Sequence, residues 1–243
     1  MLMSLFASLE AKFSEFKKNC ISEYPIPPLR IGEKTAALAI VQGGMGVGIS
    51  LSGLASAVAR EGGIGVIAAN AIGMIEDDYY NDPTAANVRA LRREIREARR
   101  QSDGLIGVNI MVAVNCFHEL LDAAIEEKAD VLFLGAGLPI KGIPVPAIRA
   151  AGVQIVPIVS SARAARLIFK SWEKAYGDIP DGVVVEGPRA GGHLGFKPEQ
   201  IGDPAFQLER IVPEVVEALA EFEARWNRSL PVIAAGGIFT GDD

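Results

Sequence analysis

His193 is one of only two histidines in the chain, and glycines crowd it: Gly191 and Gly192 precede it and Gly195 follows, in AGGHLG. An imidazole titrates near neutral pH, so a histidine held on such a loop can act as a general base. A second glycine-rich run, QGGMGVGIS from Gln42 to Ser50, places Gly43, Gly44 and Gly46 around Met45. Glycine lets a backbone come close to a flat ring or a phosphate. The spacing is neither a dinucleotide fingerprint nor a P-loop, because the acidic partner and the terminal Lys-Ser/Thr are missing. Asn109 interrupts an apolar run, GVNIMV. A buried amide must find hydrogen-bond partners, so a structural and a ligand-contacting role are both open. Gly236 and Gly237 close PVIAAGG, where adjacent N–H groups would suit a phosphate. Each motif taken singly is also compatible with an ordinary turn. The second histidine, His118, reads as a surface residue beside Glu119.

The elements that must position these residues emerge from hydrophobic periodicity. Seven short aliphatic runs read as strands: 38–42, 64–69, 106–112, 131–134, 154–159, 182–186 and 231–235. Helical patterns come after the first six, over about 50–60, 84–101, 116–128, 146–151, 162–176 and 206–225. Strands alternating with helices imply a parallel sheet. The expected fold is an α/β (βα)8 TIM barrel with seven strands present and the chain ending before the eighth. In such a barrel the chemistry sits at the carboxyl ends of the strands, where all four motifs fall. An open doubly wound sheet is the competing topology. Residues 5–16 carry Leu5, Phe6, Leu9, Phe13 and Phe16 at helical spacing. The expected organisation is therefore an N-terminal helix and extension over 1–30 and a barrel over 31–243.

Composition narrows the function classes. The chain has 243 residues, 49% of them hydrophobic with 26 glycines besides, which excludes a disordered chain. A net charge of −6 argues against a nucleic-acid surface. The run RALRREIREARR, Arg89 to Arg100, reads as a solvated helix face with Glu94 and Glu97 interleaved. Cys20 and Cys116 lie far apart without metal-ligand spacing, so no metal site is expected and a reducing, cytoplasmic location is. No apolar run approaches the roughly 18 residues that span a bilayer.

In combination and in this order, IVQGGMGVG, AGGHLG and VIAAGGI resemble the nitronate monooxygenase family, formerly called 2-nitropropane dioxygenases, from about Ile40 onward. The resemblance implies an FMN-dependent barrel that oxidises alkyl nitronates and nitroalkanes with oxygen to a carbonyl compound and nitrite. Carried over position by position, it implies that Gln42, Gly43, Gly44, Met45 and Gly46 line the flavin ring. It further implies that Asn109 contacts the flavin and that Gly191 and Gly192 lie near the cofactor. His193 matches the catalytic base, and Gly236 and Gly237 match the grip on the FMN phosphate. The chain departs from the family at Glu186 and Arg189, where many members carry Gln and Glu, which leaves the substrate open. The part of the phosphate grip on strand eight, and a helical substructure after the barrel, are missing from the sequence. NADH-using flavin enoyl-acyl-carrier-protein reductases share the barrel and a similar glycine–histidine loop. A non-catalytic flavin- or phosphate-binding subunit is a third reading. Expected partners are a small-molecule substrate and oxygen, with neither nucleic acid nor membrane; a homo-oligomer is left open.

Overall fold

The computed structural model describes residues 26–238. The N-terminal helix expected over 5–16 lies outside them. The first elements are a hairpin, β1 (Leu29–Ile31) and β2 (Lys34–Ala36), paired antiparallel around Gly32. Next come α1 (Ser52–Arg60), β3 (Ile64–Ala68), α2 (Pro83–Gln101), β4 (Leu105–Met111), α3 (Phe117–Glu126) and β5 (Val131–Gly135). The chain continues through α4 (Val145–Ala150), β6 (Gln154–Val159), α5 (Ala162–Tyr176), β7 (Val183–Glu186), α6 (Leu208–Trp226) and β8 (Val232–Ala235).

Strands β3 to β8 form one parallel sheet whose spatial order is the chain order. An order that never reverses removes the doubly wound alternative, whose strand order turns back on itself. The architecture is a parallel half-barrel, part of a (βα)8 barrel. Six strands stand in the sheet rather than the seven expected. The run 38–42 supplies only one bridge, from Val41 to Ile64. The reason lies in the turn that begins at Gln42. Ile40 O accepts from Ile64 N, but the chain then turns away, and the Gln42 side-chain carbonyl accepts from Val66 N at 3.0 Å. Ser50 O accepts from Ala68 N. A side chain and a distant carbonyl thus complete the edge of β3 that a strand would have served.

Strand side chains alternate between faces. Ile67, Ile106, Val108, Leu132, Leu134, Ile155 and Val185 pack against the helices in the larger core. Ile64, Val66, Val131, Phe133, Val156 and Val184 face inward in a second core, which Ile31 and Ala36 of the hairpin join. The helices start and stop by local chemistry. Asp82 accepts from Ala85 N ahead of Pro83 in α2, and Ser161 caps α5, which ends at Gly177 in the left-handed region.

The amino-terminal end of the sheet is closed by ion pairs. Asp130 precedes β5 and accepts from Ile106 N on β4 at 2.9 Å while pairing with Lys34 and Arg99. Asp181, 1% exposed, repeats the device ahead of β7. It accepts from Ile155 N on β6 at 2.7 Å and pairs with Arg149 and Arg228. Burial works against the charge of Arg149, yet Asp181 and Asp178 outweigh it and hold its pKa above the ordinary value.

The arginine-rich helix presents the solvated face expected of it at Arg89, Arg93, Arg96 and Arg100, and it does more than face water. Its cations reach across to neighbouring elements: Arg92 to Glu126 and Glu127, Arg96 to Glu127, Arg93 to Glu76, Arg89 to Asp78. Glu94 is buried and accepts from both the N–H and the hydroxyl of Ser52. Helical periodicity carries no sign of this, because the partners lie on other elements.

Candidate functional site

The turn after Val41 is held shut from within. The Gln42 amide donates to Gly43 O at 2.6 Å and to Ser50 Oγ at 2.9 Å, while its carbonyl serves Val66. Ser50 Oγ also accepts from Met45 N at 2.9 Å and donates to Gly43 O. The Gln42 side chain is therefore engaged at both ends by the protein, and its part is to shape the turn. The turn then crosses the inner face. A Cβ at Gly44 would lie 2.6 Å from the Asn109 Cβ, so only glycine lets the backbone pass there. Gly43, Met45 and Gly46 are exposed beside it.

Asn109 faces inward on β4, in register with Ala68 and Phe133. Among the described residues its side chain has no hydrogen-bond partner. Asn70, just beyond β3, likewise has a free amide, and its backbone O stands 3.3 Å from where a Cβ of Gly46 would be. The sequence alone does not mark Asn70, because nothing in AANAIG separates it from a turn residue.

The glycine–histidine loop leaves β7 and is fastened at both flanks. Gly187 N donates to Ala235 O at 2.8 Å. At the far side Ser160 donates to Gly195 O, and a Cβ on Gly195 would press on the Ser160 hydroxyl. Between these points Gly191 and Gly192 stand in open space, and His193 is exposed without a protein partner among the described residues. Gly236 has φ +96°, and a Cβ on it would meet Ala190 at 2.6 Å. Gly237 lies against the aliphatic stem of Arg189. Among the described residues the N–H groups of Gly191, Gly192, Gly236 and Gly237 reach no protein acceptor.

Glu186, the last residue of β7, pairs in register with Ala235, two positions beyond inward-facing Val184. Its carboxyl group is half-buried and has no partner among the described residues. Burial raises its pKa above the ordinary carboxylate value. The structure thus gathers Gly43, Gly44, Met45, Gly46, Asn109, Gly191, Gly192, His193, Gly236 and Gly237 around the inner face and carboxyl ends of one sheet. Gln42 joins them as the support of its turn. Among the described residues no group of three or more His, Cys, Asp or Glu could hold a metal ion, and no helix is long and apolar enough to cross a membrane.

A sequential parallel sheet with free backbone donors and glycine turns at its carboxyl ends defines part of a barrel of the (βα)8 class. The nitronate monooxygenase family profile matches residues 30–243, and the chain belongs to that family. Among solved structures, FabK from Thermotoga maritima is 29% identical with a TM-score of 0.62, covering 83% of this chain and 51% of its own. A nitroalkane oxidase from Streptomyces ansochromogenes is 22% identical with a TM-score of 0.65, covering 85% of this chain and 60% of its own. The chain therefore spans between half and three-fifths of the length of these structures. No curated protein matches it.

Proposed function

We propose that this chain supplies the catalytic half-barrel of an FMN-dependent nitronate monooxygenase. The observation that carries the reading is the convergence of the glycine turn, Asn109, the glycine–histidine loop and Gly236–Gly237 on one end of one sheet, in a chain of that family. The residues present fit the cofactor. An isoalloxazine ring is flat and apolar with polar edges, which suits the exposed Gly43–Gly46 backbone, Met45 and the free amide of Asn109. A phosphate suits the unpaired N–H groups of Gly236 and Gly237. FMN, when bound, supplies the electron acceptor for a nitronate, with oxygen completing conversion to a carbonyl compound and nitrite.

The protein's own contribution is proton handling and position. His193 stands on a loop fastened at Gly187 and Gly195, with its ring free to take the α-proton of a neutral nitroalkane. A nitronate has already lost that proton and needs no base. The test is His193→Asn. The variant should keep its flavin, lose roughly 10²–10⁴-fold of nitroalkane turnover and retain far more of its nitronate turnover. An equal loss on both substrates would remove the proton-abstraction role. A second reading, reduction of an enoyl thioester with NADH, draws support from the likeness to FabK. Rapid anaerobic bleaching of the flavin by NADH, without nitronate oxidation, would favour it.

A further inference from the structure

Helices α5 and α6 lie side by side on the outside of the sheet. Phe169 and Phe222 join them, with ring centroids 5.2 Å apart, and Glu173 pairs with Arg225. Each helix buries one face, α5 with Ile168, Phe169 and Trp172, α6 with Val215, Leu219 and Phe222. Their outer faces carry opposite charge. On α5, Arg163, Arg166, Lys170 and Lys174 form an exposed stripe opposite the buried face, and none has a partner among the described residues. On α6, Glu214, Glu217 and Glu221 are exposed. Glu214 pairs with Arg210 and Glu221 with Arg225, both at i,i+4, and Glu217 has no partner among the described residues.

The α5 stripe differs from the cations of α2, which reach acids on neighbouring elements. Arg166, Lys170 and Lys174 follow one another at i,i+4, a spacing at which like charges repel. Arg163 stands in the first turn, where the helix dipole disfavours a cation and no acid accompanies it. The row that would relieve this repulsion is on the same molecule. Arg163, Arg166 and Lys170 are spaced i, i+3, i+7, and so are Glu214, Glu217 and Glu221. Both helices follow parallel strands, so they run in one direction. The Phe169–Phe222 and Glu173–Arg225 contacts set the two rows level to within about 3 Å.

We propose that the outer faces of α5 and α6 are the two halves of an interface between two copies of this chain. A two-fold axis parallel to the helices, outside the groove between them, places α5 of one copy against α6 of the other, twice over. Each cationic row then meets an acidic row at its own height. The apolar residues match as well. Leu167, 45% exposed, lies on the flank of its stripe away from α6, and Val216, 50% exposed, lies on the flank of α6 away from α5. The same axis turns these two flanks toward each other. Two helices of this length offer a footprint of roughly 500 Å² per protomer. That is at the low end of specific contacts, so the pair is reversible, held by its charges and weakened by salt. The inference is independent of the flavin reading, because association is read by mass.

Sedimentation equilibrium with charge-reversed variants tests the pairing. The unaltered protein should dimerise reversibly at up to about 200 μM in about 50 mM salt, with a Kd at least about tenfold weaker in about 500 mM salt. One variant combines Arg166→Glu with Lys170→Glu, and a second combines Glu217→Lys with Glu221→Lys. Each sets like charges face to face in both halves of the contact and should be monomeric alone. Mixed in equal amounts the two should dimerise, because every row then faces its opposite. All four residues are exposed, and melting temperatures check that the variants fold; Arg166→Glu and Glu217→Lys as single changes repeat the test if either pair does not. A monomer at both salt concentrations would overturn the proposal, as would a dimer that survives either reversal. A mixture that stays monomeric would overturn the pairing of α5 with α6.

Discussion

The two ends of the sheet handle polar groups in opposite ways. At the amino-terminal end Asp130 and Asp181 are buried and saturated, each with a backbone N–H and two cations. At the carboxyl end Asn109, Glu186, His193 and four glycine N–H groups stand without protein partners among the described residues. Both ends belong to the same strands and the same aliphatic cores, so composition does not separate them. Satisfaction does. A buried ionic network completed by the protein holds the fold, whereas groups left incomplete wait on something that is not protein.

Substitutions at each end should reveal the contrast. The largest effect is expected at Asp181→Ala, which removes the buried carboxylate that Arg149 and Arg228 share, leaves them Asp178 alone and uncaps Ile155 N. Removing one member of a buried ion network costs about 3–5 kcal/mol, and urea unfolding should show a midpoint lowered to match. A loss below about 1 kcal/mol would mean that the amino-terminal network is no more structural than the mouth. Glu186→Gln should act in the reverse sense. The folded state holds the Glu186 proton more tightly than the unfolded chain does, because burial raises its pKa. Below the ordinary carboxylate value both states are protonated and the group contributes no difference. As pH rises through that value and on through the raised one, ionisation burdens the folded state and stability falls. The Gln variant should therefore melt above the unaltered protein at pH 7, with the gap closing by about pH 4. A variant that melts lower at pH 7 would assign Glu186 to the structural end of the comparison. The smallest effect is expected at Arg100→Ala. This exposed i,i+3 partner of Glu97 sits in solvent, and its loss should leave the melting temperature unmoved.

Much of the fold is legible in the sequence, for reasons that differ by element. The strands β3 to β7 announce themselves because both faces are largely buried, which writes continuous aliphatic runs such as IGVIA and VLFLG. Helix α5 is bounded closely, since Ser161 and Gly177 are caps by type. The hairpin is not legible: LRIGEKTA is too short and too charged to carry a period, and its inward Ile31 and Ala36 matter only once the sheet exists. At the site, glycine and histidine are readable by type alone. Whether a polar side chain is satisfied is not, because partners come from other elements. That is why the engagement of the Gln42 side chain by Val66 and Ser50 is not legible in the sequence, and why Asn70 carries no mark there.

The aspartates ahead of β5 and β7 have a consequence for the far end of the sheet. Side chains along a strand change face with every residue, so a slip of one position exchanges the inner and outer sets. Asp181 can reach Ile155 N, Arg149 and Arg228 in one alignment only; displaced by a single residue, it would forfeit all three. Five residues later the chain reaches Glu186, roughly 16 Å away at the rise of a strand. The same slip would turn that carboxyl group out of the barrel and into the helices. Which residues look into the mouth is thus decided at the floor, by an anchor that never touches what the mouth holds.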